Sequence, residues 1–348
     1  MPMKRLGVLG TLVRDTIHTP ETDDSGVDAG WGGIAYGLEA LEVSLPEGWE
    51  VVPLVRVGDD RAAEAREFLE GLGRVVSLEG VRAVPEPTNR VEIRYRSDGS
   101  RLERLTGGVP PWPSAEAREA VADLDALYIN FISGFELTLP GAEAVRKAHP
   151  GPVYADLHSL FLSVDPEGFR RPCPLNQRGR WLSAFDAVQV NEDEFHLLAE
   201  GEEPWTVAAG AVRGPLRLMA VTLGARGAAA VSRETESAHP LAWPAPPPYR
   251  EAGRPVRRFA RPHPPTSSLA GSPDPTGCGD VWGATFFASL LAGEPVGPAL
   301  GEANRRAGRA AGHRGAEGLA SWLSGDDGAF LGRDGPVPAP ADHERRWR

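Results

Sequence analysis

Residues 274–293 read DPTGCGDVWGATFFASLLAG: a proline and a threonine, a Gly-Cys-Gly turn between two aspartates, then a largely apolar run from Val281 to Leu291. The turn predicts the start of a helix, and the apolar run predicts that this helix is buried on all sides. Backbone N–H groups in the first turn of a helix have no partner inside it, and the aligned peptide dipoles add positive potential there. Gly277, Cys278 and Gly279 can therefore receive an anion. Asp280 stands at the mouth of that site. A carboxylate there would repel a bound phosphate unless it takes a proton from a hydroxyl that attacks the phosphorus, and a general base beside an anion hole spells phosphoryl transfer to an alcohol. By itself GCGD also reads as an ordinary helix N-cap.

Upstream, short apolar runs alternate with helical patterns: RLGVLG then GGIAYGLEALE, EVVPLVRVG then DDRAAEAREFLEGL, DALYINF then PGAEAVRKAH. GPVYADL, FDAVQV followed by NEDEFHLLAE, and LRLMAVTLG continue the series. This alternation predicts an α/β fold, a doubly wound, mainly parallel sheet flanked by helices. One segment breaks the rhythm. In residues 89–108, NRVEIRYRSDGSRLERLTGG, apolar and charged residues alternate around Asp98-Gly99, as in an antiparallel hairpin with one wet face. With strands from about residues 12–30, this hairpin at 88–108 predicts a small β lid on one domain spanning 1–325. Residues 232–273, rich in proline and arginine, read as an irregular insertion, and 326–348 as a C-terminal tail.

With 348 residues, 41% of them hydrophobic and 24% charged, the chain can bury a substantial core and falls outside the fibrous and disordered classes. A net charge of −11 speaks against a nucleic-acid partner, whose phosphates need a basic surface, so an anionic ligand has to be met locally. Two cysteines, Cys173 and Cys278, make neither a disulfide framework nor a paired metal motif and suggest a cytoplasmic setting. No apolar run reaches the ~20 residues of a membrane span, so no membrane partner is expected. The Walker pattern G-x-x-x-x-G-K-[ST] is absent, as is G-x-G-x-x-G after the first strand, which speaks against a dinucleotide-dependent oxidoreductase.

The 274–280 stretch resembles the C-terminal signature of the ribokinase-like (PfkB) carbohydrate kinases, commonly D-T-T-G-A-G-D before an apolar helix. Other motifs of that family follow in its order. GWGGIAYGLEALE is similar to its N-terminal glycine pair and helix, and VRVGDD to its vGxD turn. VNEDEF is similar to its N-x-x-E motif, and VTLGARGA to its T-x-G-x-x-G turn. The resemblance implies an ATP- and Mg²⁺-dependent kinase that phosphorylates a hydroxymethyl group of a sugar or sugar-like molecule. A nucleoside kinase, or a catalytically silent ligand-binding member of the fold, are the alternatives.

It also implies roles. Asp280 would be the base, with the amides of Gly277, Cys278 and Gly279 as the anion hole. Asn191 and Glu194 would organise Mg²⁺ and its waters, although N-E-D-E is equally a good helix start. Thr222, Gly224 and Gly227 would form the nucleotide-binding turn, and Asn304 would border the adenine. Asp274, with the backbone of 312–315, matches a loop that binds a monovalent cation such as K⁺ in many relatives. Asp15 would bind acceptor hydroxyls, and Gly32 and Gly33 would let the acceptor approach the backbone. Alone, these read as a loop carboxylate and a loop before a helix. Tyr36 departs from the family, which often has Asn there; its ring would stack on a base or sugar face, or pack in the core. Pro275 and Cys278 replace the usual Thr and Ala. The lid is a candidate clasp for a homodimer.

Overall fold

The computed structural model of the protein describes residues 2–18, 27–95, 101–233, 239–243, 256–262 and 274–325. The Asp98-Gly99 turn, most of the Pro/Arg-rich segment and the tail from 326 lie outside them. The strands are β1 (Lys4–Gly10), β2 (Leu12–His18), β3 (Val27–Gly33), β4 (Trp49–Gly58) and β5 (Val81–Val84). Then come β6 (Arg90–Tyr95), β7 (Arg101–Thr106), β8 (Ala126–Asn130), β9 (Val153–Asp156) and β10 (Leu162–Val164). The last five are β11 (Arg170–Pro172), β12 (Ala187–Asn191), β13 (Leu218–Thr222), β14 (Ala228–Arg233) and β15 (Val256–Arg261). The helices are α1 (Ile34–Ser44), α2 (Ala62–Glu70), α3 (Ser114–Ala120), α4 (Leu139–Ala148) and α5 (Arg178–Ser183). They continue as α6 (Glu192–Ala199), α7 (Pro204–Arg213), α8 (Cys278–Leu291), α9 (Val296–Ala310) and α10 (Leu319–Ser324).

Nine strands form one sheet in the order β15-β14-β13-β12-β9-β8-β1-β4-β5, parallel from β13 to β5 and antiparallel at β14 and β15. The central strands are buried on both faces, so they read as unbroken apolar runs such as ALYIN. Alternate residues of each strand feed two cores. Leu6, Val8, Tyr128 and Tyr154 pack with α1, α8, α9 and α10, while Leu9, Ile129, Val153 and Ala155 pack with α3, α4, α5, α6 and α7. Helix α8 is apolar all round because it lies on the sheet beneath α1 and α9, and Val281 to Leu291 are all buried. Among the described residues no helix is long and apolar enough to cross a membrane.

β15 corrects the expectation that 232–273 carries no regular structure. Residues 256–261 pair antiparallel with β14, from Ala228↔Arg261 to Arg233↔Val256, and Ser232 and Arg233 end β14 itself. Phe259 rests on the core while Arg257 and Arg258 face out, and charged side chains of this kind blunt a sheet edge. The surrounding prolines hid that short pattern.

The lid is a second, four-stranded sheet in the order β3-β2-β6-β7. β6 and β7 form the antiparallel pair expected from the alternation, and the polar segment upstream supplies β2 and β3. Register identifies the inward face. Val13 and Asp15 of β2 share it with Val91, Ile93 and Tyr95 of β6 and with Glu103 and Leu105 of β7; Val13, Val91, Ile93 and Leu105 form a small core with Ile132. Arg90, Glu92 and Arg94 consequently lie on the opposite face.

Candidate active site

Three parallel strands end in polar residues that point to the same face. Asn130 closes β8, Asp156 closes β9 and Gln189 lies two residues before the end of β12; they stand side by side, Asn130 opposite Asp156 and Asp156 opposite Gln189. All three are buried, at a position where ligands gather in open parallel sheets, and the N-terminus of α8 comes down upon them. Asn130 Nδ2 donates to Asp280 Oδ1 at 2.6 Å, and Gln189 Nε2 donates to the Gly279 carbonyl at 3.0 Å. Gln189 is itself oriented by the Tyr154 hydroxyl at 2.9 Å. Sequence reading passed over these residues, although a polar side chain at the C-terminal end of an otherwise apolar parallel strand was the available signal.

Gly277 is the N-cap of α8 with φ of 77°, a left-handed conformation that favours glycine. Its α-carbon also meets the face of the Tyr36 ring, where an added Cβ would lie 2.3–2.6 Å from three ring carbons. Tyr36 therefore spends one face on the glycine turn, and it is 3% exposed with its hydroxyl unpartnered among the described residues. Burial, with Asp15, Asp274 and Asp280 nearby, pushes the phenol well above its ordinary range and keeps it protonated.

The amides of Gly277 and Gly279 meet no acceptor among the described residues, as first-turn N–H groups generally do not. Cys278 differs from expectation, because its amide donates to the Pro275 carbonyl at 3.2 Å and closes the turn that Pro275 stiffens. Burial and the charges of Asp274 and Asp280 raise its thiol to about 12, which removes it as a nucleophile near neutral pH.

Asp15 faces this turn from the lid. Its carboxylate folds against Gly32, where an added Cβ would meet Asp15 Oδ2 at 1.7 Å, so a larger residue there would have to displace the carboxylate. Gly33, at φ 62°, is the N-cap of α1, and an added Cβ there would meet the Thr11 carbonyl at 2.6 Å. Burial raises the Asp15 carboxyl to about 8, with Asp280, Glu103 and Asp274 adding to the effect and Arg170 opposing it. The lid also touches the motif loop directly, since the Tyr95 hydroxyl lies 3.2 Å from Thr276 Oγ1.

Asn191 and Glu194 meet as a complete capping box on α6. Asn191 Oδ1 accepts from the Glu194 amide at 2.9 Å, and Glu194 Oε2 accepts from the Asn191 amide at 2.8 Å. Glu194 Oε1 is shared between Asn191 Nδ2 at 2.6 Å and His158 Nδ1 at 2.9 Å. Burial opposes the charged form of His158, but the hydrogen bond and charge of Glu194, with Asp156 and Asp280, raise the imidazole to about 9. Asp156 moves upward through burial, with Glu194 and Asp280 adding repulsion.

Thr222 ends β13 and leads into a tight turn in which Gly224 and Gly227 have φ of 56° and 92° before β14 returns antiparallel. Asp274 lies against the C-terminal end of α9, donating its amide to the Ala311 carbonyl at 3.0 Å, and its carboxylate accepts from the Thr276 amide at 2.9 Å. Among the described residues no three Asp, Glu, His or Cys side chains converge as a metal-binding group. A separate cavity of about 420 Å³ is lined by Trp31, Phe68, Glu39, Glu64, Glu67 and Glu317 among others, and shares no residue with the Asp280 site.

Asn304 is buried rather than solvated. Its Oδ1 accepts from Trp282 Nε1 at 2.8 Å, and its Nδ2 donates to the carbonyls of Arg261 at 3.0 Å and Pro262 at 3.4 Å, tying α8 and α9 to the end of β15. Asn304→Leu should leave a buried indole N–H without a partner and cost about 1–3 kcal/mol in denaturant unfolding. An unchanged midpoint would refute this tie.

No family model and no curated protein matches the chain. Solved structures do. The chain is similar to a Burkholderia thailandensis nucleoside kinase in complex with inosine, at TM-score 0.64 and 18% identity over 91% of this chain and 94% of that one. It is similar to Arabidopsis thaliana ribokinase complexed with ribose and ATP, at TM-score 0.60 and 19% identity over 93% and 99%. A pyrophosphate-dependent kinase in the ribokinase family, complexed with a pyrophosphate analog and myo-inositol, gives TM-score 0.62 and 14% identity over 89% and 96%. At these identities the likeness establishes the ribokinase-like fold.

Proposed function

We propose that this chain, with its ribokinase-like fold, transfers the terminal phosphoryl group of ATP to a hydroxymethyl group of a sugar or sugar-like polyol. The observation that carries this reading is Asp280 in the first turn of α8, with one oxygen held by Asn130 and the open amides of Gly277 and Gly279 beside it. Asp280 takes the proton of the acceptor hydroxyl as it attacks in line, and those amides stabilise charge on the transferred group. Asp15 and the Tyr36 hydroxyl hold the acceptor's other hydroxyls. Contact between Tyr95 and Thr276 closes the lid on the motif loop and keeps out water, which would otherwise compete as acceptor.

Mg²⁺ takes most of its ligands from phosphates and water, and it would neutralise phosphate charge. Asn191 and Glu194 offer hard oxygens that each already hold a partner, so they would hold the ion's waters. A polyol is favoured over a nucleoside because the Tyr36 ring is engaged by Gly277 on one face and buried in the core, with the carboxyl groups of Asp15, Asp274 and Asp280 near its hydroxyl.

The test is acceptor-dependent ADP release from Mg·ATP with ribose, myo-inositol and inosine, and phosphate release from pyrophosphate alongside. We expect one polyol to be turned over at about 1–100 s⁻¹, the usual range for kinases. Nucleotide binding with no acceptor-dependent release across a broad panel would instead favour a silent ligand-binding protein.

A further inference from the structure

Arg170 acts on Asp15 through its charge, from outside every motif read in the sequence. It starts β11 of the short β10-β11 hairpin, is 8% exposed, and lies between the loop after β8 and the inward face of the lid. A buried guanidinium beside a substrate cup would ordinarily suit a carboxylate or phosphate, through two parallel N–H groups. Here that fork is used up. Nη2 donates to the carbonyls of Ile132 at 2.8 Å and Ser133 at 3.4 Å, and Nη1 lies 3.4 Å from Glu103 Oε2. Glu103 is two residues from Leu105 on the inward face of β7, opposite Ile93, and its side chain is 10% exposed. One Arg170 donor, Nε, is buried without a partner among the described residues.

The rest of the site is acidic. Asp15 comes from β2 and Asp280 from α8, and Arg170 and Glu103 both act on Asp15 through their charges. Among the described residues eight buried side-chain atoms have no partner, and four of them belong to residues around Asp15 and Asp280: the Tyr36 and Tyr128 hydroxyls, Arg170 Nε and Asn130 Oδ1. That set of two hydroxyls, one donor and one acceptor suits alcohol groups, which both give and receive hydrogen bonds. It offers no paired donors to an anion.

We propose that the acceptor site selects by charge, taking uncharged or cationic polyols and rejecting those that bear a carboxylate or phosphate, with Glu103 setting the selection by occupying Arg170. The inference rests on the kinase reading for the identity of the site as an acceptor site. An anionic acceptor meets Asp280 as a like charge, and above about pH 8 Asp15 as well, and like-charge contacts in a buried site are strongly rejected.

The test uses two triads with one carbon skeleton each: ribitol, ribonate and 1-amino-1-deoxyribitol; glucitol, gluconate and glucamine. Binding to the full chain is measured by calorimetry, and transfer from Mg·ATP by phosphorus NMR. The polyol or the amine should bind at least about tenfold tighter than its carboxylate. In Glu103→Gln that ratio should shrink about tenfold, because the guanidinium is released; in Arg170→Met it should widen, because Glu103 is left uncompensated.

A triad whose carboxylate binds tightest, or ratios that both variants leave unchanged, would overturn the proposal, as would absence of binding by all six compounds. If the binding order holds while no compound is phosphorylated, charge selection stands and the kinase reading fails. If a carboxylate is the best phosphorylated substrate, the kinase reading stands and charge selection fails.

Discussion

Asp280→Asn should lower kcat by about 10²–10⁴-fold, the usual contribution of a general base, while the protein folds as before. The substitution keeps the shape of the side chain, and the amide oxygen can still accept the 2.6 Å hydrogen bond from Asn130 Nδ2. It also removes a negative charge that acts on Asp15, Asp156 and Tyr36, so the folded state loses a source of repulsion and no packing. Activity and stability are therefore expected to separate. Turnover falls by two to four orders of magnitude, and the denaturant midpoint stays level or rises. Turnover of a verified acceptor at the original rate would remove Asp280 from the reaction. A fall in activity matched by a fall in stability would mark it as a structural cap.

The fold was legible because its strands are buried on both faces and its helices follow them at short intervals, so apolar runs such as ALYIN and AVQVN read directly as parallel strands. Asp280 and the glycine turn were legible for the same local reason, since a helix start is a short-range feature. Period-2 alternation in the lid showed which residues share a face. Only the packing of Val91, Ile93 and Leu105 on Ile132 showed that Glu103 turns inward and Arg90 outward.

Asn191 and Glu194 resisted a single reading because N-x-x-E is chemically both a capping box and a set of hard oxygens, and the capping box is fully formed. Tyr36 could not be placed from sequence, since its contact is a glycine 241 positions later, an encounter that depends on α1 packing beside α8. Arg170 carried no local signal at all. Its role comes from a hairpin lodged against β7, through the Arg104↔Phe169 bridge. β15 was missed because prolines around it diluted a six-residue pattern.

Asp15→Asn should make the protein more stable as pH rises, while it weakens acceptor binding. Burial, aided by Asp280, Glu103 and Asp274, raises the Asp15 carboxyl from 3.8 to about 8 in the folded protein. Between those values the folded chain binds a proton that the unfolded chain does not. The wild type therefore loses stability as pH climbs from about 4 to about 8, and the loss is complete above that range. Asparagine does not titrate. The variant's advantage should be small near pH 5 and grow to about 2–4 kcal/mol by pH 9, a discounted figure given ~1.4 kcal/mol per pKa unit.

His158 also titrates within this span. Its pKa is raised from 6.5 to about 9, so its contribution is full below 6.5 and lost as pH passes 9. Because it does so in both proteins, the difference between them isolates Asp15. Urea unfolding of both proteins at pH 5, 7 and 9 reads the effect directly, and a constant difference would mean that Asp15 is ionised at all three. Saturating polyol should flatten the wild-type slope, because hydroxyls donating to Asp15 favour its ionised form and lower its pKa. The cost of holding a buried carboxylate against Gly32 is in this way offset by the acceptor it is placed to receive.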